Sequence, residues 1–128
     1  MNILRLISAK RVFENFLDEK MPPVVAYKIM KLVRTAETEE SFYYTELQKL
    51  IEQYGKRDDD GNLLTTEDGN VPLAEDTLPE CKQKVKELES VDVDAPNILF
   101  TIDELSSFAI TVREMDAISA FISEDGKE

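Results

Sequence analysis

Histidine is absent and cysteine occurs once, as Cys81. Without histidine the chain lacks the usual general base, the Ser-His and Cys-His catalytic pairs, and the commonest zinc ligand. A lone cysteine excludes an intramolecular disulfide and a cysteine zinc cage. Only four glycines are present. They form no glycine-rich phosphate loop, no Walker pattern and no G-x-S-x-G elbow, which removes most cofactor cradles. No apolar run reaches the ~18–20 residues of a membrane helix. The opening Met1–Ile7 breaks at Arg5 and has neither a basic head nor a small-residue cleavage site, so no signal peptide is read.

What is present is 128 residues, 42% apolar and 33% charged, with a net charge of -12. That is one ordinary domain with enough apolar material for a core. The charge is uneven. Residues 1–35 hold seven basic groups (Arg5, Lys10, Arg11, Lys20, Lys28, Lys31, Arg34) against three acids, while the remainder holds eight basic groups against 24 acids. Such an acidic portion repels nucleic acid and membrane surfaces and favours basic protein partners, although acidity also serves plain solubility.

Hydrophobic spacing divides the chain into elements. Ile3–Ile7 reads as a short strand, and Ser8 as the cap of a first helix over about 9–19 that buries Val12, Phe13, Phe16 and Leu17. Pro22 and Pro23 stop that helix, and Pro23 also suits the start of the next. From Val24 to Tyr54 no glycine or proline intervenes, and Ile29, Leu32, Ala36, Glu40, Tyr43, Leu47, Leu50 and Tyr54 recur at steps of three and four. This predicts a long amphipathic helix with a narrow, coiled-coil-like stripe, closed by Gly55 as C-cap. Two Asp-Gly turns follow, with Leu63–Thr66 and Val71–Leu73 flanking the second, which predicts a small β-hairpin with Pro72 on its edge. Thr77 and Glu80 fit a capping box for a shorter helix whose stripe is Leu78, Cys81, Val85 and Leu88. Val91–Val93 and Ile98–Ile102 predict a second hairpin, and Phe108–Ile110 a further short strand. Thr111 and Glu114 form another capping box, opening a last helix that carries Met115, Ile118, Phe121 and Ile122.

The expected fold is therefore α+β. A long helix and a shorter helix form an antiparallel coiled arm joined by a β-hairpin, over a small mixed α/β base built from the two chain ends. All 128 residues belong to one domain: the helical arm with its hairpin at 24–90, the base from 1–23 and 91–123, and a frayed tail at 124–128.

Candidate chemistry is sparse. Asp58, Asp60 and Asn62 alternate as at the start of an EF-hand loop, but the sixth and twelfth positions are Leu63 and Gly69, so the calcium pattern fails at both. Glu37, Glu39 and Glu40 supply carboxylates, yet a solvated helix face explains them without acid–base work. Phe42, Tyr43, Tyr44 and Tyr54 are the only aromatic concentration. Three consecutive helical residues cannot all face one side, so at least one of Phe42, Tyr43 and Tyr44 points away from the helical pair as a protein-contact anchor or as packing elsewhere. Cys81 lies on an apolar stripe and reads as a small buried hydrophobe. Lys10, Arg11, Lys28, Lys31 and Arg34 could contact phosphates, but the net charge opposes direct nucleic-acid binding, and the acidic surface could itself imitate DNA phosphates.

Several segments together carry a resemblance: Ala9-Lys10-Arg11-Val12-Phe13; Met21-Pro22 leading to Ala26-Tyr27-Lys28-Ile29-Met30-Lys31; Tyr54-Gly55 with the Asp-Gly turns; and Thr111-Val112-Arg113-Glu114-Met115-Asp116-Ala117. The chain resembles a family of small phage and prophage proteins of unknown function. That resemblance implies a phage-derived protein in the cytoplasm of the infected bacterial host, or in the virion, and transfers no active-site residues.

The functional expectation is a non-enzymatic acidic interaction protein that binds and inhibits a host protein such as a defence nuclease. The alternative is a virion head or tail assembly factor or chaperone, and a third is a solvated structural module. The partner is a host or phage protein, with self-association through the arm as another mode. No membrane, catalytic residue, cofactor or metal is expected. The expected contact residues are Phe42, Tyr44, Glu37, Glu40, Asp58, Asp59 and Asp60.

Overall fold

The computed structural model describes residues 1–123. Five α-helices occur in it: α1 (Ile3–Glu14), α2 (Pro23–Tyr54), α3 (Leu78–Glu89), α4 (Ile102–Leu105) and α5 (Val112–Ala117), with single 3-10 turns at Glu75–Thr77 and Ser119–Phe121. The described residues form no sheet. Extended backbone meets only in four isolated bridges. The expected α+β architecture is thus corrected to a mainly helical one, without a β-hairpin and without a mixed α/β base.

Contacts divide the chain into two compact units: Met1–Glu40 with the C-terminal stretch from Asp92, and Ser41–Val91. Helix α2 contributes residues to both.

In the first unit the expected strand at Ile3–Ile7 is instead the first two turns of α1. Asn2, not Ser8, caps it, with its side chain accepting from the Leu4 N–H at 2.8 Å. Ile3, Leu6, Ile7, Ala9, Val12 and Phe13 are all buried. Burial on more than one face removes the clean helical period, which is why the run reads as a strand. Each of the larger side chains contributes about 1.5–3 kcal/mol before entropy is subtracted. From α2 the core receives Val25, Ile29, Leu32, Val33 and Ala36. Phe13 stacks on Phe100 at 4.9 Å and Phe16 on Phe108 at 4.5 Å. The second expected hairpin is absent. Asn2 bridges to Asp92, and Phe100 to Ile122. Phe108–Ile110 is no strand either. It lies between α4 and α5, both opened by complete capping boxes, Thr101 with Glu104 and Thr111 with Glu114. α5 packs on α1, where Asn15 Nδ2 donates to Glu114 at 3.1 Å. The expected tail at 124–128 lies outside the described residues.

The second unit consists of α2 from Ser41, a long connection and α3. The connection folds back on its own first residues, those directly after α2. Gly55 bridges to Leu73 and Arg57 to Leu63. Lys56 N–H donates to the Pro72 carbonyl at 2.8 Å, and Ala74 N–H to the Tyr54 carbonyl at 2.9 Å. Lys56 bonds to both segments, donating to Pro72 and accepting from the Leu64 N–H at 2.9 Å, so 63–66 and 71–73 pair with the chain after α2 instead of forming a ladder with each other. Gly55 owes its place to space, not to capping. A Cβ there would stand 2.6 Å from the Ile51 carbonyl oxygen and 2.8 Å from Leu63 and Val71 side-chain carbons. At the start of α3 the expected capping box is missing, because Thr77 makes no side-chain cap bond. The buried core of this unit is thin: Tyr43, Tyr54, Cys81 and Leu88.

Candidate functional site

The residues expected to contact a partner are divided between the two units. Glu37 and Glu40 sit in the first unit, and Phe42, Tyr44, Asp58, Asp59 and Asp60 in the second. Within the second unit about 18 Å of helix axis separates Phe42 from Tyr54, and the three aspartates follow only after that end.

Glu40, the one polar member of the α2 stripe, faces inward. Its carboxylate lies 2.9 Å from Lys10 Nζ, which also reaches Glu14 at 2.9 Å, and 4.0 Å from Arg11. Lys10 is only 5% exposed. Burial disfavours its charge, but the hydrogen bonds to Glu40 and Glu14 outweigh burial and hold its pKa above the ordinary lysine value. This is a structural ion cluster joining α1 to α2, not a contact surface. Glu37 is exposed at the rim of a shallow apolar groove of about 370 Å³, floored by Ile29, Met30 and Val33.

Other basic groups of the N-terminal region are engaged too. Lys28 Nζ donates to Glu104 at 2.9 Å and to the Leu99 carbonyl at 2.9 Å. Lys31 lies 5.4 Å from the Tyr27 ring centroid. Arg5 donates to the Ser119 hydroxyl at 3.2 Å. Of the basic groups near the start of the chain, Lys10 and Lys28 are thus paired with carboxylates inside the first unit.

Asp58 accepts the N–H groups of Asp60 and Asn62 at 2.9 and 3.0 Å, closing its own turn, with Gly61 at φ 84°. Asp59 and Asp60 are exposed. Among the described residues no three His, Cys, Asp or Glu side chains converge to hold a metal ion. Phe42 and Tyr44 are both exposed, at 46% and 43%, while Tyr43 is buried. Two places apart on a helix, Phe42 and Tyr44 point to different sides. Tyr44 meets Tyr43 edge-on at 5.3 Å.

Phe42 belongs to a feature that the residue-by-residue reading missed. Between α2 and α3 the second unit holds an open groove of about 500 Å³, within the usual range of binding clefts. Its apolar lining comes from Phe42, Leu50, Tyr54, Leu88 and Val91. One edge carries Glu46 and Lys49, paired at 2.7 Å. The other carries Glu80, Lys84 and Glu87, which make no ion pair among the described residues. Tyr54 is 4% exposed, and its buried hydroxyl makes no well-aligned hydrogen bond among the described residues, although the Glu80 carboxylate lies within interaction range. Burial and the nearby Glu80 carboxylate push this phenol up, keeping its proton in place. Cys81 is buried beside it. The matching stripes of the two helices were the signal available in the sequence. They predict a closed seam, whereas Leu47 and Leu50 remain half-buried.

No family model, curated protein or solved structure matches the chain. No helix among the described residues is long and apolar enough to cross a membrane.

Proposed function

We propose that the protein works by binding another protein: a phage-encoded acidic interaction protein that engages, and thereby inhibits, a basic host protein such as a defence nuclease. The observation that carries this reading is the open, partly apolar groove within an acid-rich unit. Residues 41–91 hold twelve acidic and six basic groups. An apolar centre with charged edges is the usual anatomy of a protein interface, and the negative field steers a basic partner toward it.

Capture from bacterial lysate, infected and uninfected, followed by mass spectrometry tests the proposal. The expected result is one basic host protein in both lysates, lost when several exposed acids of 41–91 are replaced by their amides and weakened as salt rises. Recovery of head or tail proteins only after infection would overturn it in favour of virion assembly. A distinct surface favours that second reading: Val24, Tyr27, Leu99 and Ile102 are exposed, between 44% and 64%, on the elements joined by the Lys28–Glu104 pair.

A further inference from the structure

We infer that the groove between α2 and α3 receives an amphipathic helix with cationic flanks from the partner protein, completing a three-helix bundle. This rests on the reading of 41–91 as the binding unit and names the chemistry of its occupant.

Two observations converge. First, the two helices leave their seam open. Leu50 lies on the α2 stripe but is only half-buried, and exposed Phe42 lines the same groove. A third apolar stripe is the natural cover for two helices that present such a face. Second, the length and charge of the groove define what fits. α3 has twelve residues, about 18 Å of axis, and an occupant of roughly three helical turns would span it. Glu80 and Glu87 on one edge await cations, with Lys84 between them, so a partner helix bearing basic, acidic and basic groups at matching steps complements that edge.

The same charge argument rejects a second copy of the chain as occupant. Two such units would bring two surpluses of acid together, whereas a basic helix is drawn in.

The test uses the full chain and a designed probe, a labelled helical peptide with leucine on one face and lysine on its flanks, titrated by fluorescence anisotropy. A twin with glutamate in place of lysine is the control. The expected result is saturable binding of the leucine–lysine peptide only. The double variant Glu80→Gln/Glu87→Gln is expected to weaken it about tenfold without moving the melting temperature. The double variant Asp58→Asn/Asp59→Asn, outside the groove, should weaken it far less.

Equal losses from the two double variants would mean that net charge alone holds the peptide. That overturns the groove while leaving the acidic-unit reading intact. Peptide-displaceable dimerisation of the free protein in sedimentation would also overturn it, by giving the groove to a second copy. Failure of the peptide to bind, together with loss of acid-dependent capture from lysate, would remove both proposals.

Discussion

Lys10 shows how a single residue can reverse its apparent meaning. Among the positive charges near the start of the chain it reads as a phosphate contact. Its ammonium is instead enclosed with Glu40 and Glu14. Removing one member of a buried ion pair leaves the others uncompensated, whereas replacing the pair by apolar groups is often neutral. Lys10→Met should therefore cost about 2–4 kcal/mol in urea denaturation, and Lys10→Met with Glu40→Leu should recover most of that. Equal losses in the single and double variants would mean that the cluster contributes little beyond packing. Gly55 is the second such residue. A methyl group at its Cα meets the Ile51 carbonyl and two side chains closer than contact distance, so Gly55→Ala is expected to destabilise by about 1–3 kcal/mol. A higher melting temperature, as for a glycine limited only by backbone entropy, would contradict that packing role.

At the scale of elements, signals carried by local chemistry were legible, and those that depend on tertiary packing were not. α2 begins at Pro23 and ends at Tyr54, as the absence of glycine and proline between them predicts. The Thr111–Glu114 capping box is present in full. The Thr101–Glu104 box has the same signature but lies inside a run, Ile98–Ile102, that reads as strand. Local apolar content outweighed the cap. α1 was displaced for a related reason, since a helix buried on several faces loses its period. Of the candidate site, exposed Phe42 and the two helical stripes were visible. The open seam was not, because whether two stripes close depends on how far apart the helices settle.

The capping boxes also set a pH dependence. Burial opposes the charge on Glu104, but the Thr101 N–H and the Lys28 ammonium outweigh it and hold the carboxyl below the ordinary glutamate range. Glu114 is held low mainly by the Thr111 N–H. A lowered folded-state pKa contributes stability that is present above the unfolded value and lost as pH falls through the folded one. Thermal melts should therefore decline below the ordinary glutamate range, and Glu104→Gln should flatten that decline. An unchanged acid slope would remove Glu104 from the explanation. Thr101→Ala should cost about 1 kcal/mol through its cap at any pH where the protein folds.

For the whole molecule, the distribution of burial and charge outranks any single motif. The first unit holds most of the buried side chains and pairs Lys10 and Lys28 internally. The second has a thin core and an unfilled groove, and carries its acid surplus on a shorter stretch of chain. Half-buried Leu47 fits that division. Leu47→Asp should cost about 1–2 kcal/mol rather than the larger penalty of a closed seam, and a loss of several kcal/mol would show the stripe to be sealed.

The most direct test of the central claim is hydrogen–deuterium exchange of the full chain, free and bound to the host protein recovered by capture. Slowed exchange in 42–54 and 78–91 is the expected result. Protection confined to 1–40 and 92–123, with the α2–α3 groove unchanged, would contradict the account.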